Sequence, residues 1–149
     1  MVELLGNRKQ ETGNRKQETG NRKQEIGDLM EKLMLYRDLI VWQKAMELVK
    51  ATYLLVKKLP KEESYALSNQ MRRTAVSIPS NIAEGYGRKS KVEYSRFLDI
   101  ARGSLFELET QIHIGIMLGF FTEEDVNVAF ELSSEVGRIL NSIIKKLEQ

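Results

Sequence analysis

The 149-residue sequence contains no cysteine, one histidine and two prolines. Without cysteine the chain forms neither a disulfide framework nor a thiolate metal site, which favours a reducing compartment. The sequence also lacks a secretory signal segment and any apolar run long enough to span a bilayer. We therefore expect a soluble, cytoplasmic protein without membrane association, built as one domain plus an extension.

Residues arranged for catalysis or metal binding are also scarce. Glu84, Glu107 and Glu109 are carboxylates on predicted helices, but di-metal bundles also need a Glu-x-x-His motif on two helices. The single histidine, His113, does not follow a glutamate at that spacing. Segment 85–90 lacks the Gly-x-x-x-x-Gly-Lys-Ser/Thr spacing of a phosphate-binding loop. We predict no catalytic residue, no metal site and no cofactor, and hence a protein that is not an enzyme.

Residues 6–26 repeat a seven-residue unit, GNRKQET, twice without change and a third time with Ile26 at its end. The repeat carries six basic and three acidic residues, which leaves 17 basic and 18 acidic residues elsewhere. No heptad position is apolar before Ile26 and each unit includes a glycine, so no coiled-coil seam is expected. We predict that residues 1–34 form a polar tail, disordered or weakly helical. The alternative is a basic arm on a phosphate backbone.

Residues 35–149 show the three-and-four apolar spacing of amphipathic helices. The first predicted helix runs from Asp38, as its N-cap, to about Lys57, and the second follows Pro60. Pro79 predicts a kink in the second helix. The faces predicted to be buried are Leu39, Trp42, Ala45, Met46, Val49, Tyr53 and Val56 in the first helix, and Leu67, Met71, Thr74, Ala75, Ile78 and Ile82 in the second.

Two further helices complete the prediction. Gly85 and Gly87 are expected to supply left-handed positions that end the second helix. The third begins at a capping box, residues 90–93, and ends at Gly119, and the fourth begins at Thr122. With short connections and no alternating strand pattern, the predicted fold class is all-α. We expect an antiparallel up-down-up-down four-helix bundle in residues 35–149, preceded by the polar repeat tail.

The third predicted helix is apolar on two sides. Opposite its core face lies a second strip: Ile100, Gly103, Phe106, Ile114 and Met117. A solvent-facing helix surface is normally charged and free of apolar patches. The hypothesis is a subunit interface in a homo-oligomer, and the alternative is a set of scattered surface apolar residues.

Seven basic residues surround the predicted turn between the second and third helices: Arg72, Arg73, Arg88, Lys89, Lys91, Arg96 and Arg102. Ordinary solvated charge is one interpretation. The other is a nucleic-acid surface, because repetition of this patch in an oligomer would concentrate positive charge against RNA or DNA backbone.

Three segments, DLIVWQKA (residues 38–45), QMRRTAVSIPSNIAEGYGR (70–88) and RFLDIARGSLFELE (96–109), resemble one protein family. It is the four-helix-bundle family encoded within bacterial 23S rRNA intervening sequences, also called the S23 family. The resemblance begins near Tyr36 and excludes the repeat. It implies a four-helix bundle assembled into a ring, commonly a pentamer, with no established enzymatic activity. A related group is the accessory variability protein of diversity-generating retroelements, which binds a reverse transcriptase and nucleic acid.

The family signature falls on eight residues: Arg73, Ser77, Asn81, Glu84, Gly85, Ser104, Glu107 and Glu109. We interpret them as a polar seam between helices that fixes register, with a ligand or nucleic-acid site as the alternative. The leading functional hypothesis is a non-enzymatic oligomeric adaptor that binds RNA or a protein partner. Two alternatives remain: a purely structural product without a ligand, and an accessory subunit that delivers nucleic acid to a reverse transcriptase.

Overall fold

The computed structural model describes the backbone of residues 2–149 and the side chains of residues 10–30 and 35–149. This part of the chain is all-α and contains no strand, which confirms the predicted class. Its helices are α1 (Val2–Asp38), α2 (Ile40–Val56), α3 (Leu67–Tyr86), α4 (Lys91–Met117) and α5 (Glu123–Leu147), with a 3-10 turn at Lys61–Glu63. None of the helices in the described range combines the length and apolar character needed to cross a membrane.

The chain divides into two compact units, Met1–Leu35 and Tyr36–Gln149. The first unit contains the seven-residue repeat, which lies in α1. All side chains of residues 10–30 are exposed, as expected for a helical segment without an apolar seam.

The boundary between α1 and α2 is a single residue. Leu39 adopts an extended conformation and is the N-cap of α2, without a side-chain capping bond. The prediction that Asp38 caps this helix is therefore wrong, because Asp38 is the last residue of α1. The end of α1 is satisfied from the following helix, since Gln43 Nε2 donates to the carbonyl of Arg37 at 2.9 Å.

The buried face of α2 differs from the predicted one. It consists of Val41, Ala45, Leu48, Thr52, Leu55 and Val56. Ala45 and Val56 belong to both sets, whereas Met46 and Tyr53 are exposed. The helix has apolar residues on nearly all sides, so its spacing fits two faces and only the packing against α3 and α5 selects one.

The core stripe of α3 is as predicted, since all six residues from Leu67 to Ile82 in that stripe are buried. The helix continues through Pro79, which is itself buried. Ser77, Ser80 and Asn81, the side chains next to the proline, donate to carbonyls of their own helix at 2.7–2.8 Å. At the helix start, the Leu67 N–H is accepted by the Glu63 carboxylate at 3.3 Å.

Gly85 does not end α3 with a left-handed residue, contrary to the prediction. Among the described residues only Gly119 has a positive φ, of 80°. Gly85 is helical and buried, and a Cβ there would lie 2.6 Å from Phe97 Cβ on α4. Glycine is needed because two helix backbones approach closely at this point. Gly87 is the C-cap in right-handed conformation.

Ser90 and Thr122 are the N-caps of α4 and α5, as predicted, and the reciprocal capping box is complete at Thr122. Ser90 Oγ accepts from the Glu93 N–H at 3.1 Å. At the start of α5, the Thr122 side chain accepts from the Asp125 N–H, and the Asp125 carboxylate accepts from the Thr122 N–H at 2.9 Å. The Thr122 N–H and then the Lys58 ammonium lower the pKa of Asp125 from its ordinary value.

The α4–α5 connection turns at Gly119, as predicted, and brings Phe121 back onto α4. The Phe121 ring is buried and occupies the space that a side chain at Gly115 would need. In the unit Tyr36–Gln149, α2 packs against α3 and α5, and α4 packs against the same two helices. The cluster of buried apolar side chains lies among these four helices.

We predict that Gly85→Ala destabilises the folded unit. Forcing a methyl group against Phe97 costs about 1–3 kcal/mol, and the gain in helix propensity returns only about 1 kcal/mol. The matched control is Gly87→Ala, because the nearest atom to a Cβ there is 3.4 Å away. Urea unfolding followed by circular dichroism, at one protein concentration, measures both. Equal stability of the two variants would contradict a close approach at Gly85.

Candidate functional site

The connection between α3 and α4 carries a group of cations that we call the turn cluster: Arg88, Lys89, Lys91 and Arg96. All four side chains are exposed. Arg88 Nη2 lies 3.0 Å from Glu84 Oε1, and its guanidinium stacks 4.7 Å from the centre of the Phe97 ring. Among the described residues, no carboxylate pairs with Lys89, Lys91 or Arg96. Three of the four charges are therefore open to an anionic partner.

The remaining three basic residues of the sequence hypothesis lie away from the turn cluster. Arg73 lies thirteen residues before Tyr86, the last residue of α3, a distance of about 20 Å along the helix axis. Arg72 is its neighbour, half-buried beside a groove between α2 and α3. The Arg102 guanidinium already has partners, because it donates to Asp99 at 2.7 Å and to Asn141 at 2.9 Å. The seven cations thus form two separate groups and one ion-paired residue.

Tyr94 lies beside the turn cluster and packs edge-on against Tyr86, with ring centres 5.9 Å apart. Burial, and to a smaller extent Tyr86, raises the pKa of Tyr94. The phenol therefore stays neutral at neutral pH. The two rings join the last residue of α3 to the first turn of α4, on either side of the turn.

The eight signature residues do not form one seam. Arg73 and Glu84 are exposed, and Glu84 pairs with Arg88, which lies just beyond the end of α3. Ser77 and Asn81 bond to carbonyls of α3. Gly85 makes the close helix contact described above, and Ser104 is half-buried. The structure does not bring Arg73 into an ion pair with Glu107 or Glu109 within the described residues.

Among the signature residues, Glu109 makes a contact between helices, and Gln111, Thr74 and Ser133 outside the set make others. Gln111 Nε2 donates to Thr74 Oγ1 at 3.1 Å across α3 and α4, and both residues are buried. Ser133 donates to the Glu109 carboxylate across α4 and α5. Gln111 also reaches Glu107 at 3.5 Å. The sequence signal for this contact is a polar residue on an otherwise apolar helix face, as Gln111 is beside Leu108 and Ile112.

The second apolar strip of α4 is open on the single chain. Phe106 is 56% exposed and Met117 75% exposed, while Ile100 and Ile114 are also outside the core. A Cβ at Gly103 would meet nothing within 4 Å. The five residues occupy the side of α4 opposite its buried face, in two groups at residues 100–106 and 114–117, with the exposed Glu107 and Thr110 between them.

Within the part of the chain that the structure describes, no group of three or more histidine, cysteine or acidic residues is placed to hold a metal ion. His113 is exposed, and its ring lies 4.9 Å from that of Phe130. Glu107 and Glu109 are bonded to Gln111 and Ser133.

A family model described as the 23S rRNA-intervening sequence protein matches residues 37–142. The chain belongs to this family. It is also similar to a crystal structure from Bacteroides thetaiotaomicron, described as a protein with unknown function from the S23 ribosomal protein family. The two share 28% identity with a TM-score of 0.66, and the match covers 71% of this chain and 99% of that one. The curated proteins include no match. The matched region starts after the repeat, so the family assignment concerns the second unit.

We predict that Gln111→Leu leaves stability unchanged or raises it by about 1 kcal/mol. Gln111 Oε1 is buried and has no hydrogen-bond partner in the described residues, which costs about 1–3 kcal/mol. The lost bond to Thr74 is worth about 1 kcal/mol, and the Thr74 hydroxyl keeps its bond to the Gln70 carbonyl. Urea unfolding measures the change, with Gln111→Glu as the polar control that should destabilise. A loss above about 1 kcal/mol for the leucine variant would contradict this balance.

Proposed function

We propose that this family member is a non-enzymatic, cytoplasmic homo-oligomer that binds RNA backbone through its turn clusters. The observation that carries the RNA proposal is the presence of three exposed cations, Lys89, Lys91 and Arg96, without carboxylate partners among the described residues. When exposed guanidinium and ammonium groups contact RNA phosphates, counterions condensed on the RNA are released, and this release favours binding. Such binding tracks the backbone and reads little sequence.

An antiparallel up-down-up-down four-helix bundle is the proposed arrangement of α2 to α5. Support comes from the order of contacts between α3 and α4. Thr74 meets Gln111 while Gly85, farther along α3, meets Phe97, earlier in α4. The connections of 4 and 5 residues that flank α4 also favour oppositely directed neighbours. Each of the four helices packs against two others, which closes the cycle.

The apolar strip of α4 is the proposed subunit interface. Four of its five residues are large and apolar, on a helix whose opposite face already fills the core. Exposed apolar side chains of this size are unfavourable in water and are stabilised when a second copy covers them. Gly103 leaves room for another backbone. A closed ring, with five subunits as the family resemblance implies, would repeat the turn cluster around one axis and raise the local charge.

The non-enzymatic part of the proposal is supported by how the buried polar groups are used. Gln111 bonds to Thr74 and Glu109 bonds to Ser133, in both cases between two helices. These groups hold helices together instead of facing an open cavity. The exposed turn cluster offers charge and no paired acid and base.

We predict that Phe106→Asp dissociates the oligomer, because it places a charge in the centre of the apolar strip. The matched control is Val128→Asp on α5, since Val128 is 60% exposed and lies outside the strip. Sedimentation velocity at micromolar concentration should give an oligomer for the wild type and the control, and a folded monomer for Phe106→Asp. A wild-type monomer, or equal behaviour of both variants, would sink the assembly proposal.

We predict that replacing Lys89, Lys91 and Arg96 together by alanine weakens binding to a 23S rRNA fragment at least tenfold. The slope of log K against log salt should also fall by about 2–3 per engaged subunit. The control replaces Arg138, Lys145 and Lys146 on α5, which removes the same charge from exposed positions. Fluorescence anisotropy at several salt concentrations measures both.

Two results would contradict the RNA proposal. One is a wild-type protein that fails to bind the fragment at low salt. The other is an equal loss in the turn variant and the α5 control, which would mean that net charge alone drives binding. An oligomer that binds no RNA would favour the purely structural alternative.

A further inference from the structure

A groove lies between α2 and α3, outside the turn cluster and outside the apolar strip. Its volume is about 440 Å³. The groove is lined by Tyr53, Asn69, Arg72, Arg73, Val76 and Ser77. One aromatic ring, two guanidinium groups, one amide and one hydroxyl therefore converge on a volume within the range of small-ligand sites.

The charge of the groove is uniformly positive. Neither Arg72 nor Arg73 has a carboxylate partner among the described residues, in contrast to Arg88 and Arg102. Lys50 lies three residues before Tyr53 on α2, and Lys57, the C-cap of that helix, lies four residues after it; both are exposed. Adjacent guanidinium groups with open donors are suited to bidentate contacts with phosphate oxygens.

The aromatic wall of the groove is open to solvent. Tyr53 is 43% exposed, and Val76 across the groove is also exposed. An exposed aromatic ring beside arginines is the arrangement on which single-stranded nucleic acids stack their bases. The sequence pattern predicted that Tyr53 is buried in the core. The structure buries Leu48, Thr52 and Leu55 instead, which leaves Tyr53 on the surface.

We infer that this groove binds a nucleoside phosphate, namely an unpaired nucleotide of single-stranded RNA. Arg72 and Arg73 hold the phosphate and the Tyr53 ring carries the base. Asn69 presents an amide that both donates and accepts at base edges. The RNA source of the nucleotide rests on the function proposed above. The site itself is separate, because Arg73 lies about 20 Å along α3 from Tyr86, after which the turn cluster begins.

The experiment uses the full chain with four probes: a ten-nucleotide adenylate RNA, an RNA duplex of the same length, AMP and inorganic phosphate. Tyr53→Leu should weaken single-strand binding about tenfold, which is the effect of losing one base–aromatic stack. Tyr53→Phe keeps the ring and should stay within about twofold of wild type. Duplex binding should not change with Tyr53→Leu, because paired bases cannot stack on the ring. The control is Tyr65→Leu, since Tyr65 is 97% exposed and lies outside the groove.

A second variant, with Arg72 and Arg73 both changed to glutamine, tests the phosphate contacts. The slope of log K against log salt for the single strand should fall by about 1–2. Circular dichroism and thermal melting establish that each variant is folded. Single-strand affinity unchanged by Tyr53→Leu, or reduced equally by Tyr65→Leu, overturns the inference.

The two proposals fail separately. RNA binding that depends on Lys89, Lys91 and Arg96 but not on Tyr53 leaves the proposed function intact and overturns the groove site. AMP binding that Tyr53→Leu weakens, in a protein that binds neither RNA, supports the groove site with a free nucleotide as its ligand. Binding of inorganic phosphate alone, with no contribution from Tyr53, overturns it.

Discussion

The close approach of α3 and α4 at Gly85 sets the geometry of the folded unit. Because Gly85 has no side chain, Phe97 packs directly onto the α3 backbone. The Arg88 guanidinium stacks on the same Phe97 ring, 4.7 Å from the ring centre. The turn that follows has 4 residues between the helices, so its cations are held close to this contact. The packing of one glycine thus positions the surface to which we assign RNA binding.

Buried polar contacts fix the register of the helices along their length. Apolar side chains tolerate sliding by one turn, since one leucine replaces another with small cost. The Thr74–Gln111 contact and the Glu109–Ser133 contact do not, because a shifted register would bury these groups without partners. Gln111 already leaves its carbonyl oxygen unpaired among the described residues. The buried polar groups therefore lower the free energy of unfolding while they define the alignment of α4 with α3 and α5.

Local signals in the sequence were sufficient for the helices that are strongly amphipathic. The stripe of α3 and the caps at Ser90 and Thr122 were predicted correctly because each depends on residues within one or two turns. The face of α2 was not, because a helix that is apolar on nearly all sides leaves the choice to its neighbours. Asp38 failed as a cap for a related reason: α1 continues up to it, which a capping rule cannot anticipate.

The candidate site was predictable only in part. The turn cluster consists of residues close in sequence, so the composition of that segment reveals it. The groove with Tyr53 and Arg73 joins two helices, and its existence depends on which face of α2 is buried. The predicted polar seam included both Arg73 and Glu84, which a rise of about 1.5 Å per residue separates by about 16 Å along the helix.

The contact between Phe121 and Gly115 limits which substitutions this chain accepts at the end of α4. The Phe121 ring fills the volume beside Gly115 that any larger residue would need. The two positions therefore share a fixed amount of space, divided between a ring on one side and a hydrogen atom on the other. Neither can drift alone without leaving a void or a collision. A larger residue at position 115 therefore requires a smaller one at position 121.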